Sequence, residues 1–143
     1  MTTLFDIAQN WLNQDPDAET HAELTALLTA AKNGDEKAKS KLQARFSGRL
    51  QFGTAGLRGP LQAGPMGMNR VLVAQAAGGL ADYLKDYDKQ PSIVIGYDGR
   101  KNSDVFARDT AEIMAGAGVK AYLLPRKLPT PVLAYAIQYF DTT

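Results

Sequence analysis

Three short stretches of this sequence carry side chains suited to gripping an anion. In Gly53-Thr54-Ala55-Gly56-Leu57-Arg58-Gly59 the glycines let backbone N–H groups come close to a ligand. Thr54 adds a hydroxyl, and Arg58 a guanidinium that can hold phosphate through two parallel hydrogen bonds. The same composition equally describes a flexible glycine turn bearing a surface arginine. Asp98-Gly99-Arg100 offers a second arginine, although taken alone it reads as an Asp-Gly turn whose Arg100 pairs with a nearby carboxylate. Pro129-Thr130-Pro131 reads first as a helix start, with Thr130 as its cap and Pro131 in the first helical position.

Other chemistries are excluded by what the chain lacks. Without cysteine there is no disulfide framework, thiolate metal site or cysteine nucleophile, and the lone His21 cannot build a histidine-rich metal centre. His21 sits among polar residues early in a helix, where an exposed histidine with no ligand role is expected. Sixteen basic residues against fifteen acidic ones leave a formal charge of +1, which argues against a nucleic-acid-binding module held by a basic face. The opening Met1-Thr2-Thr3-Leu4-Phe5-Asp6 has no signal-peptide pattern and no apolar run approaches a membrane span, so the expectation is a cytoplasmic protein with neither nucleic acid nor membrane as partner.

Two regions must position the candidate residues. Over Thr3 to about Ser47 the pattern is helical, starting with Leu4, Ile7, Ala8, Trp11 and Leu12 at spacings of three and four. A second helix is expected from Asp17, a good N-cap, to Asn33-Gly34, and a third from about Asp35 to Phe46. Lys37, Lys39, Lys41 and Arg45 on that third helix read as a solvated face.

Beyond Gly48 strands alternate with helices. Leu50-Gln51-Phe52 is a short, weak strand candidate, followed by a loop from Gly53 to Gly67 that is long for a connector and therefore the first candidate site. A helix follows over about Asn69 to Tyr87, whose interior Gly78-Gly79 pair suggests a close approach to a neighbouring element. Ser92 to Tyr97, with its run of Ile93, Val94 and Ile95, has the pattern of a strand buried on both faces. Ser103 is placed to cap the next helix, which ends at Gly116 to Gly118; a strand over Lys120 to Leu124 comes next. The last helix is lined by Leu133, Ala136, Ile137 and Phe140. This order predicts an α/β fold: a three-layer α/β/α domain with a small, mostly parallel sheet, preceded by a helical extension. In such a sheet, ligands bind beyond the carboxyl ends of the strands, where the first two candidate loops belong. No Gly-x-Gly-x-x-Gly follows the first convincing strand, which disfavours a nucleotide-binding Rossmann domain. A final amphipathic helix with no strand after it implies either a small sheet with an exposed edge or a domain cut before its next strand, and unpaired edges favour the second.

Phe52-Gly53-Thr54-Ala55-Gly56-Leu57-Arg58-Gly59, then Val94-Ile95-Gly96-Tyr97-Asp98-Gly99-Arg100, then Leu124-Pro125 to Leu128-Pro129-Thr130-Pro131 together resemble the first domain of the α-D-phosphohexomutases, nearest the phosphoglucomutase and phosphomannomutase branch. The resemblance divides the chain into a helical N-terminal extension, residues 1–48, and domain I, residues 49–143, truncated before the loop that carries the family's serine. It implies reversible transfer of phosphate between the 1- and 6-positions of a hexose phosphate, through a phosphoserine enzyme, with magnesium and a hexose 1,6-bisphosphate as activator. Within this chain it assigns Arg58 to stabilising the transferring phosphate or assisting proton transfer, and Gly53, Thr54 and Gly56 to the shape of that loop. Arg100 supports the site, and Thr130 stays structural. The serine loop, the aspartate-rich metal loop and the sugar-specificity loop have no counterpart here, so no metal ligand is assigned and the chain alone is expected to be inactive. Its partners are then the hexose phosphate and the remaining domains of the same polypeptide. The competing expectation is a non-catalytic module that binds sugar phosphates.

Overall fold

A computed structural model describes residues 2–54 and 56–143. The chain forms two compact units, one running to Leu72 and the other from Val73.

The first unit holds three helices whose ends follow from local chemistry. Helix α1, Leu4–Leu12, starts in a reciprocal capping box: Thr3 Oγ1 accepts from the Asp6 N–H, and the Asp6 carboxylate accepts from the Thr3 N–H. Asp17 caps α2, Ala18–Lys32, by accepting from the Glu19 N–H, and Asp35 caps α3, Glu36–Arg45, by accepting from Lys37 and Ala38. Ala8, Trp11 and Leu12 of α1 bury against Leu24, Leu28 and Ala31 of α2 and Ala38 and Leu42 of α3, which forms one apolar core. Trp11 meets Phe46 edge-on, with ring centroids 6.0 Å apart. His21, Lys37, Lys39 and Lys41 are exposed as expected, whereas Arg45 is drawn in against Glu23.

Residues 46–69 form no helix and, among those described, no ladder strand. The strand expected at Leu50-Gln51-Phe52 is absent: the Leu50 N–H donates to the Pro65 carbonyl inside the same long loop, and Phe52, 72% exposed, has no partner strand or core to pack upon. Helix α4, Arg70–Tyr87, then begins from Asn69, whose side-chain oxygen accepts from the Leu72 N–H.

In the second unit, strands β1, Ser92–Ile95, and β2, Lys120–Leu123, pair in parallel, with Ser92 opposite Lys120 and Ile95 opposite Leu123. Helix α5, Ser103–Gly116, connects them, and α6, Thr130–Phe140, follows β2. Alternation along β1 builds the layers. Ile95 packs with Ala77, Ala81 and Leu84 of α4 and Ala107 and Met114 of α5, while Val94 packs on the other face with Leu124 and Ala136 of α6. The result is the α/β/α arrangement, with β1 covered on both faces.

Three local expectations are corrected. Ser103 is the first helical residue of α5 rather than its cap; Asn102 occupies the cap position with left-handed φ 66°, and the Ser103 hydroxyl donates instead to Asp98. Thr130 likewise lies inside α6, because the extended Pro129 takes the cap position and its carbonyl accepts from the Val132 N–H. On α6, Ala136 is buried and Leu133 packs beside it, but Ile137 is 44% exposed; Phe140, on the rim, stacks on Tyr122 with centroids 4.4 Å apart.

The Gly78-Gly79 pair does not serve a close approach, since a Cβ built at either position meets nothing within 4 Å. Alanine at each site should therefore stabilise α4 by roughly 0.5–1 kcal/mol through its helix propensity. The urea midpoints of Gly78→Ala and Gly79→Ala check this, and a lowered midpoint in either would show an unrecognised steric demand.

Candidate functional site

The glycine-rich stretch and its arginine belong to the first unit. Gly53 and Gly56 exchange two backbone hydrogen bonds, of 3.2 and 3.1 Å, closing a tight turn around Thr54. Ala55 lies outside the described residues. Gly56 holds φ +82°, a conformation that a side chain would strain, so this position requires glycine. Thr54 and Arg58 are both exposed. Arg58 has no ion pair or side-chain hydrogen bond among the described residues.

What fixes this exposed turn is the well-packed segment after it. Met68 N–H donates to the Pro60 carbonyl and Leu50 N–H to that of Pro65, so the Arg58 segment is tied at both ends to residues 60–68. Those residues are held by Asn69, the one buried polar side chain among the described residues, at 2% exposure. Its amide nitrogen donates to the carbonyls of Gln62 and Gly64, both at 2.8 Å, and of Gly67 at 3.1 Å. The turn at Gly67 is so tight that a Cβ there would stand 2.3 Å from the Gln62 carbonyl oxygen. A second anchor comes from α2: Glu23 accepts from the Ala63 N–H at 3.0 Å with one carboxylate oxygen and from Arg45 Nη2 with the other. Partial burial pushes the Glu23 carboxyl upward. The Arg45 hydrogen bond, the Ala63 N–H and the Arg45 charge outweigh that and hold it below its ordinary 4.5.

Arg100 belongs to the second unit, just past the carboxyl end of β1. There its Nε lies 3.0 Å from Asp98 Oδ2, an ion pair between two exposed side chains. The other oxygen of Asp98 accepts from the Arg100 N–H at 3.0 Å and the Ser103 hydroxyl at 2.7 Å. These hydrogen bonds, that of Ser103 foremost, hold the Asp98 carboxyl below its ordinary value. Thr130 is exposed at the start of α6 and has no capping bond.

Sequence reasoning singled out Gly53, Thr54, Gly56, Arg58 and Arg100 but missed the residues that hold them. Asp98 and Ser103 stood in the right loop without an assigned partnership. Glu23 and Asn69 gave no signal beyond helix membership and helix start. An open groove of about 450 Å³ lies at the amino ends of the strands, beside Ser92, Lys120 and Tyr122, at the end of β1 away from Arg100. No group of three His, Cys, Asp or Glu side chains that could hold a metal ion occurs among the described residues. None of the described helices is long and apolar enough to cross a membrane.

Residues 49–143 match the family model described as phosphoglucomutase/phosphomannomutase, alpha/beta/alpha domain I. The chain belongs to this family. It is 95% identical to a probable phosphomannomutase of Haemophilus influenzae over 78 residues, which are 54% of this chain and 16% of that protein. It is 43% identical to a phosphoglucomutase of Staphylococcus haemolyticus over 98 residues, 68% of this chain and 18% of the relative. A phosphoribomutase of Saccharomyces cerevisiae is 40% identical over 131 residues, 89% of this chain and 20% of the yeast protein. No solved structure matches the chain. The phosphohexomutase-type chain thus spans about a fifth or less of the length of these relatives.

Two measurements check the anchoring of the Arg58 loop. Asn69→Ala removes the donor for three carbonyls and the acceptor for one N–H, and should cost about 2–4 kcal/mol in urea unfolding. Because the folded-state pKa of Glu23 is depressed, its contribution is present above pH 4.5 and lost as the pH falls through the folded value. Unfolding midpoints should therefore fall as the pH drops below about 4.5, and Glu23→Gln should flatten that decline.

Proposed function

We propose that the polypeptide containing this chain is a phosphohexomutase that moves phosphate between the 1- and 6-positions of a hexose phosphate through a phosphoserine, with a hexose 1,6-bisphosphate as activator. Residues 1–48 form a helical extension and residues 49–143 the first α/β/α domain, ending before the serine loop. The observation that carries this reading is Arg58, exposed and without an ion pair among the described residues, on an anchored glycine loop in a chain of this family.

Phosphoryl transfer asks a protein chiefly for positioning and charge stabilisation. Arg58, with no carboxylate to neutralise it, supplies a full positive charge and paired donors to the transferring phosphate. Gly53, Thr54 and Gly56 shape the turn that presents it, and Arg100 contributes a second set of phosphate donors. Magnesium, when bound, neutralises charge on the phosphoryl group; its ligands, like the serine, belong to other parts of the polypeptide. The relatives carry names for mannose, glucose and ribose phosphates, which supports reading this chain as the portion that handles phosphate rather than sugar. The compartment proposed is the cytoplasm.

In the full-length polypeptide, Arg58→Ala should lower kcat by about 100- to 1,000-fold, the usual loss when one preorganised donor to developing charge is removed. The 143-residue chain alone should give no turnover with glucose 1-phosphate, glucose 1,6-bisphosphate and magnesium. Robust conversion by it would overturn the assignment of the nucleophile to sequence outside this chain.

A further inference from the structure

The family match begins at residue 49, yet the loop that carries Arg58 is fastened to residues before that point. Three contacts make the attachment. Glu23 of α2 accepts from the Ala63 N–H at 3.0 Å, and the carbonyl of Arg45, the last residue of α3, accepts from the Met66 N–H at 3.2 Å. Gly64 lies so near α3 that a Cβ there would stand 3.2 Å from both the Cβ and the carbonyl oxygen of Arg45. Between them Ala63 is fully buried, in the same apolar core as Leu24, Leu28 and Leu42.

These contacts differ in what they specify. Burial of Ala63 favours contact without fixing direction, and a carbonyl in the last turn of a helix finds water if the loop lifts away. Glu23 acts more strictly. Its second oxygen accepts from Arg45 Nη2, which orients the carboxylate, and the N–H that it receives belongs to a residue with no exposed surface, where an unmatched donor is costly. From Ala63 the constraint passes towards Arg58 through two further bonds: Met68 N–H to the Pro60 carbonyl, and Leu50 N–H to that of Pro65. With glycines at 53, 56 and 59 the Arg58 segment has little stiffness of its own, so these ties set its course.

We propose that Glu23 is a positioning residue for the transfer step: from outside the matched domain it seats residues 60–68 on α2 and α3 and thereby holds Arg58 in place. The proposal rests on the reading that Arg58 acts on the transferring phosphate, and the test separates the two. In the full-length enzyme, Glu23→Ala should lower kcat about tenfold with KM changed by less than about twofold, the pattern of a misplaced group that acts only in the transfer. In the Arg58→Ala background the same substitution should have no further effect on kcat, because a positioning residue then has nothing left to position. Hydrogen exchange reads the attachment without reference to chemistry: Glu23→Ala should speed exchange at the Leu50 and Met68 amides about tenfold while the amides of α5 keep their wild-type rates. Gly64→Ala, strained at φ +95° and pressed against Arg45, disturbs the same attachment with Glu23 intact. It should repeat the kcat and exchange effects, and it decides the matter if Glu23→Ala does not fold. An unchanged kcat in Arg58→Ala overturns the reading of Arg58. Wild-type exchange at Leu50 and Met68 in Glu23→Ala overturns the positioning role. So does, where Arg58→Ala is impaired, an unchanged kcat in Glu23→Ala or a loss that persists in full in the double variant.

Discussion

The side-chain amide of Asn69 donates to the carbonyls of Gln62, Gly64 and Gly67 and accepts from the Leu72 N–H, all in a position sealed from water. Two N–H bonds and one carbonyl oxygen thereby satisfy a loop that has no ladder of its own. A buried carbonyl without a donor is costly, so this amide fixes the loop's course as firmly as a strand would. It also starts helix α4, and so the end of the loop and the beginning of the helix are set by the same side chain. Glu23 adds a second fixed point at Ala63, coupled to Arg45 on α3. The exposed turn that carries Arg58 can be built from glycines because the residues after it are held in this way.

In the second unit the constraint is alternation along a four-residue strand. Val94 and Ile95 enter opposite apolar clusters, which fixes the twist and height of β1 on both faces at once. A strand clamped in this way delivers its carboxyl end to a defined place, and the Asp98 turn begins there. Four paired residues suffice because the helices, not the ladder, supply most of the buried apolar surface.

The helices, the parallel β1–β2 pair and the layered class were legible in the sequence, because caps such as Asp17 and Asp35 and the β-branched run Ile93-Val94-Ile95 act locally. Errors arose where a side chain had a better offer from a distance. Ser103 had the chemistry of a cap, but a hydroxyl donating to the Asp98 carboxylate forms a stronger bond than one accepting from a helix N–H. Leu50 and Phe52 alternate like a strand, yet the Leu50 N–H went to Pro65. The Gly78-Gly79 pair suggested a tight contact that the geometry lacks, since a glycine's meaning depends on neighbours the sequence does not reveal. For the candidate site, Arg58 and Arg100 stood out by residue type and loop position. The supports at Glu23, Asn69 and Asp98 did not, because each works through a partner that periodicity cannot supply.

The two arginines differ in a way that residue type alone would hide. Arg58 has no ion pair among the described residues, whereas Arg100 lies 3.0 Å from a carboxylate oxygen of Asp98. An uncompensated guanidinium binds most strongly where negative charge is greatest, which on the proposed reaction is the phosphoryl group in transit. A guanidinium beside a carboxylate attracts an anion less strongly, because part of its charge is already offset. Residue type alone would rank the two arginines equally as anion partners; their immediate neighbours do not.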